Sequence, residues 1–153
     1  MATPEERLAE LGLSVPEVPK PVAAYIPALR TGSYVYTSGQ LPMRDGSLLA
    51  SGKVGADVTA EIGVECARQC ALNAIAAVKS IVGDLAEVVR VVKLVVFVAS
   101  APDFTGQPGV ANGASELVGQ IFGEAGQHTR SAVGTAVLPL DAPVEVEMVV
   151  EVR

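Results

Sequence analysis

Arg130 and Glu145 are the two residues in this 153-residue chain whose chemistry and placement first suggest a shared task. A guanidinium is planar, always charged, and can grip a carboxylate through two parallel hydrogen bonds. Arg130 opens the β-rich segment Ser131–Leu138, which places a fixed cation at the mouth of a strand. From Val144 to Arg153 the alternation is nearly strict. Val144, Val146, Met148, Val150 and Val152 point one way, and Glu145, Glu147, Val149, Glu151 and Arg153 point the other. That is a strand with one face on a core. Periodicity alone does not separate Glu145 from Glu147 and Glu151, each of which reads equally well as a solvated carboxylate. His128 is the only histidine and stands two residues before Arg130. It is a candidate general acid or base near neutral pH, although a lone loop histidine is more often structural.

The remaining polar candidates carry weaker signals. Cys66 and Cys70 have helical spacing and no further Cys or His nearby, which argues against zinc and for small core residues. On pattern alone Tyr25 and Ser38 are ordinary strand residues. Asn73 and Asn112 suit a cap or a buried hydrogen bond. Gly52, Gly55, Gly106 and Gly109 do not form a phosphate loop.

The elements that must position these residues follow from caps, turns and periodicity. Thr3-Pro4-Glu5-Glu6 is a helix start with capping-box spacing. The helix it opens runs to Gly12 and is expected to be short and peripheral. A connector with Pro16, Pro19 and Pro21 follows, so residues 1–20 form an N-terminal helix and extension. Val22–Leu29 reads as a strand, Arg30–Ser33 as a turn, and Tyr34–Ser38 as a second strand. Asp45-Gly46 marks a tight hairpin, and Leu48–Ala50 is a short third strand, so a β-meander is expected. From about Thr59 to Val82 apolar residues recur at spacings of three and four, ending at Gly83, a suitable C-cap. Val88–Ala99 is a near-continuous β-branched run, too apolar for an edge strand. A second long helix runs from Pro108 or Gly109 to Phe122. The order is β-β-β-α-β-α-β-β, an α+β domain with two helices on one face of a mixed or antiparallel sheet.

Two consequences concern assembly and site geometry. The sheet face away from the helices would expose apolar surface that a soluble monomer should not carry, and packing such faces together in a cyclic oligomer is the natural remedy. If the last two strands form a hairpin with Leu138 opposite Val144, then Arg130 lies opposite Val152. Glu145 is then seven residues away, roughly 23 Å at strand rise. Either the two meet across a subunit interface or the strands are not neighbours.

Bulk properties exclude several classes. Apolar residues make up 50% of the chain and aromatics 4%, so the core is built from Val, Ala, Leu and Ile. A net charge of −6 and the lack of any basic cluster leave no footprint for phosphate neutralisation, so no nucleic-acid partner is expected. The longest apolar run is interrupted by Arg90 and Lys93 and is too short to span a bilayer. Pro4, Glu5 and Glu6 do not suit a signal peptide. A soluble, cytoplasmic protein with reduced thiols is expected.

Thr37-Ser38-Gly39-Gln40, Arg130-Ser131, Leu138-Pro139 and Val144-Glu145-Val146-Glu147 together resemble the signature of the Rid family (RidA/YjgF), enamine/imine deaminases, over essentially the whole chain. The resemblance implies a chorismate mutase-like fold, a homotrimer, and ligand clefts between subunits. It implies that Arg130 binds a substrate carboxylate and that Glu145, fifteen residues on, holds or activates a water. Ser38 matches the serine of the Ser-Gly-Gln motif, with Gly39 beside it, and Tyr25 matches the site tyrosine thirteen residues earlier. Asn112 matches a helix asparagine, although the stretch to Arg130 runs one residue longer here. The best-studied branch has a cysteine where Ala132 stands. Asp103-Phe104, Gln107-Pro108-Gly109, Asn112-Gly113-Ala114-Ser115 and Gly126-Gln127-His128 resemble a branch whose members mostly lack an assigned activity. The implied reaction is hydrolysis of reactive enamines or imines to 2-oxo acids and ammonia, with no cofactor because the imine is already electrophilic. The alternative is a regulatory trimer that binds small carboxylates without turnover. RNA cleavage, claimed within the wider family, is a third reading.

Overall fold

The twelve-residue strand Val88–Ala99 (β5) decides the architecture because its apolar side chains need cover on both faces and partners on both edges. In the computed structural model, which describes residues 1–19 and 23–153, it has both edges paired. The main sheet has the order β1-β2-β7-β5-β6. Here β1 is Ala28–Thr31, β2 Tyr34–Thr37, β6 Thr129–Thr135 and β7 Val144–Val152. β5 runs antiparallel to β7 and parallel to β6, so the sheet is mixed. A parallel neighbour requires a crossover, and the helix Gln107–Phe122 (α3) supplies it.

The expected C-terminal hairpin is therefore replaced by two strands with β5 between them. The connection passes over the end of β5 and is tied to it on both sides. Ser100 N–H donates to the Thr135 carbonyl (2.9 Å) and Ala99 N–H to the Pro143 carbonyl (2.9 Å). Two further expectations change. The first strand begins at Ala28, Tyr25 lies on a bend, and the expected start at Val22, like Pro21 of the connector, falls outside the described residues. The Asp45-Gly46 turn, with φ of 52° and 83°, closes a separate two-stranded ribbon of Met43–Arg44 (β3) and Ser47–Leu48 (β4). Positive φ at both central residues is the hairpin geometry that Asp-Gly favours. This ribbon does not join β1 and β2, and the other edge of β2 pairs with β7.

The helix Ala60–Val82 (α2) is bounded as its sequence predicts. The Thr59 hydroxyl accepts from the Ile62 N–H (3.2 Å), and Gly83 ends it at φ 80°. Its buried side is mostly small, with Ala67, Cys70, Ala71, Ala74 and Ala77 fully covered, which lets the helix sit close to the sheet. α2 packs on β1, β2 and β7, while α3 packs on β5 and β6. The two helices also pack against each other. A Cβ on Gly113 of α3 would stand 2.2 Å from the Val64 carbonyl oxygen of α2. The N-terminal helix Pro4–Glu10 (α1) has its predicted capping box between Thr3 and Glu6. It is less peripheral than its sequence suggests, because Leu8 is 2% exposed and joins the core. Glu5 also accepts from the Leu85 N–H at 2.9 Å.

The two long helices, α2 and α3, cover one face of the sheet. The other face leaves Leu29, Tyr34, Tyr36 and Val133 each more than two-fifths exposed, with Phe97 and Val149 half-buried among them. Among the described residues no helix is long and apolar enough to cross a membrane.

The Gly113 contact generates a stability prediction. Gly113→Ala must push α3 away from α2, and overpacking of this kind costs about 1–3 kcal/mol. Urea unfolding should show the loss as a lower midpoint at an unchanged slope, whereas an unchanged midpoint would mean that the helices yield freely.

Candidate functional site

Arg130 lies on β6 opposite Leu94 of β5, on the face that meets α3. Its guanidinium reaches the helix. Nη1 donates to Asn112 Oδ1 (2.8 Å) and to Ser115 Oγ (3.1 Å). Nη2 has only a long contact to the Pro108 carbonyl (3.4 Å). Asn112 and Ser115 are three apart on one helix and so share a face. The edge formed by Nε and Nη2 is thus nearly uncommitted, and this edge presents two parallel donors to a carboxylate. His128, just before β6, meets the same group from behind. Its Nε2 is 2.9 Å from Ser115 Oγ, and its Nδ1 is 2.6 Å from the Gly126 carbonyl. Ala132 is half-buried two residues along from Arg130, on the same face of β6, and packs against the core.

Glu145 belongs to a second group. It pairs with Phe97 across β7 and β5, on the face away from the helices. The segment after β2 runs beside it, with Gln40 N–H donating to the Val146 carbonyl (2.8 Å) and Val146 N–H to the Gln40 carbonyl (3.0 Å). This brings Gly39 against the carboxyl. A Cβ at Gly39 would stand 1.9 Å from Glu145 Oε1. A side chain at this position would displace the carboxyl from where it now sits. The Ser38 hydroxyl donates to the Ile26 carbonyl (2.6 Å). It ties the Gly39 segment to the bend that carries Tyr25, which is exposed. A cavity of about 960 Å³ opens here, with Tyr25, Gly39, Gln40, Arg44, Gln69 and Asn73 among its walls. Its polar wall is internally satisfied. Arg44 donates to Gln69 (3.1 Å), Gln69 to Asn73 (3.1 Å), and Asn73 to the carbonyls of Leu41 and Met43 (3.0 Å each).

Burial, with the neighbouring Glu147 charge as a smaller cause, raises the Glu145 pKa above the ordinary carboxylate range. A carboxylate with a raised pKa is a better base, once ionised, than one at the ordinary value. Cys66 and Cys70 are buried, free thiols. Burial pushes Cys66 up to about 11 and Cys70 well above its ordinary value, so both are poor nucleophiles.

Within one chain the two groups do not meet. Arg130 is level with position 94 of β5 and Glu145 with position 97, on strands either side of β5. The offset is about 10 Å along the strands and about 10 Å across them, and the side chains leave opposite faces of the sheet. Asn112, His128, Arg130 and Ala132 form one group, while Tyr25, Ser38, Gly39 and Glu145 form the other. Ser115 is the residue that pattern reading missed. Its signal was the spacing of three from Asn112 on an amphipathic helix.

The chain is similar to known proteins over nearly its whole length. The family model described as "YjgF/chorismate mutase-like, putative endoribonuclease" matches residues 5–152. Protein TCP17 of Trypanosoma cruzi is 44% identical over 147 residues, covering 95% of this chain and 92% of that protein. The 2-iminobutanoate/2-iminopropanoate deaminase of Dermatophagoides farinae is 31% identical over 141 residues, covering 92% and 95%. The crystal structure of the protein Atu1372 of Agrobacterium tumefaciens, of unknown function, is 44% identical with a TM-score of 0.92, covering 98% of this chain and 92% of that one.

The raised Glu145 pKa has a consequence for stability. The folded chain holds this proton more tightly than the unfolded chain, so stability falls as pH rises through the folded pKa. Glu145→Gln removes the buried charge. Its melting temperature should exceed that of the parent at pH 7, and the gap should close as pH approaches the unfolded glutamate value of about 4.3. A lower melting temperature at pH 7 would show that the charge is compensated.

Proposed function

The chain belongs to the YjgF/chorismate mutase-like family, and from that premise we propose that it hydrolyses enamine or imine intermediates to 2-oxo acids and ammonia. The observation that carries this reading is Arg130. Its guanidinium is held from behind by Asn112 and Ser115, with a two-donor edge left for a carboxylate. The iminobutanoate/iminopropanoate deaminase relative supports it at family level.

In the proposed reaction Arg130 binds the substrate carboxylate and so fixes the imine carbon. The ionised Glu145 takes a proton from water as the water oxygen bonds to that carbon, and passes it to the imine nitrogen, giving a neutral carbinolamine. Glu145 then takes the hydroxyl proton as C=O forms and passes it to the nitrogen as the C–N bond breaks and ammonia departs. Water and imine thus become 2-oxo acid and ammonia in balance, with no redox step.

Arg130 and Glu145 cannot act on one substrate within one chain, so the site is proposed to form between copies, as in a homotrimer. Arg130 of one copy would face Glu145, Gly39, Ser38 and Tyr25 of its neighbour. The exposed Leu29, Tyr34, Tyr36 and Val133 support this assembly, because packing the open sheet faces together removes them from water. Binding of small carboxylates without turnover is the second reading, supported by the same Arg130 geometry. RNA cleavage, the activity in the family description, is less well supported because a chain of net charge −6 repels phosphate.

Imines generated by an amino-acid oxidase and trapped with semicarbazide provide the assay. The protein should accelerate their loss, and Arg130→Ala should lower kcat/KM by about 30-fold or more, the equivalent of about 2 kcal/mol. No acceleration across several amino acids would overturn the deaminase reading. Full activity in Arg130→Ala would overturn the site. The pH–rate profile should show an acidic limb that is absent in Glu145→Gln.

A further inference from the structure

We infer that His128 and Ser115 are positioning residues for Arg130, forming a one-way hydrogen-bond relay that turns the carboxylate-binding edge of the guanidinium toward ligand. The inference rests on the proposed carboxylate-binding role of Arg130.

The direction of the relay follows from donor and acceptor chemistry. A backbone carbonyl can only accept, so the contact of His128 Nδ1 with the Gly126 carbonyl (2.6 Å) places the ring proton on Nδ1. In the neutral ring Nε2 is then an acceptor, and its 2.9 Å contact with Ser115 Oγ takes the hydroxyl proton. Ser115 has no second proton. Toward Arg130 its oxygen offers only a lone pair, which accepts from Nη1 at 3.1 Å. Asn112 Oδ1 accepts from the same nitrogen at 2.8 Å, so both Nη1 hydrogens are used. Nε and Nη2 stay available, with only the 3.4 Å contact to the Pro108 carbonyl on that side. Each donor in the chain polarises the next acceptor.

This arrangement removes His128 from the role of general acid or base. Both ring nitrogens are engaged within the fold, and its influence on chemistry passes through Ser115. The other charged group beside it is Arg90 of β5, which shares a shallow hollow with His128 and donates to the Gln127 carbonyl (2.9 Å). β6 positions Arg130, the segment just before it positions His128, and α3 positions Asn112 and Ser115. The relay therefore also couples the crossover helix to the sheet edge.

The test compares the parent with Ser115→Ala, His128→Phe and His128→Gln. The readouts are 2-oxobutanoate binding by calorimetry, imine turnover, and the tautomer of the single histidine by nitrogen NMR. Ser115→Ala and His128→Phe should weaken binding and raise KM about tenfold, with kcat within about twofold, as expected for loss of one hydrogen bond to a charged group. His128→Gln keeps an acceptor toward Ser115 and should stay within about threefold of the parent. Parent-like affinity in Ser115→Ala and His128→Phe would overturn the inference, as would an equal loss in His128→Gln. If His128→Phe does not fold, Ser115→Ala, His128→Gln and the tautomer still decide. If the parent neither binds nor turns over, the proposed function falls separately. The tautomer, read without ligand, then decides the relay: Nδ1–H supports it and Nε2–H overturns it.

Discussion

Pairing of β5 on both of its edges is the constraint on which the rest of the structure depends. Its side chains are apolar toward both faces, and each unpaired edge of a buried strand would leave backbone groups without partners. β7 takes one edge and β6 the other. The parallel partner has to arrive through a crossover, so α3 is laid over β5 and β6, which brings Asn112 and Ser115 within hydrogen-bonding reach of Arg130. The antiparallel partner enters from the opposite end, so Glu145 begins β7 beside the Gly39 segment. The same strand that builds the core thus separates the two charged residues by two strand positions and a sheet face.

The charges are treated differently on the two sides. Arg130 is kept solvent-accessible and spends part of its hydrogen-bonding capacity on a helix, which orients it without neutralising it. No carboxylate is paired with it among the described residues. Glu145 is half-buried, lies near another carboxylate, and packs against Gly39, where a side chain would displace its carboxyl. Neither arrangement favours stability. Within one chain, a cation with an unused donor edge and a carboxyl with a raised pKa each lack the opposite charge that the other carries, which is the ground for the proposed shared site. The exposed aromatic and aliphatic side chains on the open sheet face supply a reason for copies to associate.

The elements with local signals were legible in the sequence. Thr3 with Glu6, Thr59 and Gly83 bound their helices by capping, Asp45-Gly46 marks its turn, and β5 and α2 follow from periodicity. What was not legible depends on long-range choice. Residues 136–143 are short enough for a hairpin, and only the demand of β5 for two partners shows that they cross its end. Tyr25 reads as a strand residue by type, but Pro27 just before β1 provides no N–H, and the chain bends ahead of it. Glu145 is indistinguishable from Glu147 and Glu151 by alternation. Its difference lies in Gly39, over a hundred residues away in sequence. Ser115 carries no motif and becomes visible only once β6 is set beside α3.

The central claim is that one chain holds two half-sites that are completed by a second copy. Subunit complementation tests it most directly. Arg130→Ala and Glu145→Gln chains, each strongly impaired alone in imine hydrolysis, are co-expressed so that mixed assemblies form. The mixture should regain activity, because some clefts then receive an intact Arg130 from one copy and an intact Glu145 from another. A mixture that assembles but remains as impaired as its parts would contradict the shared site.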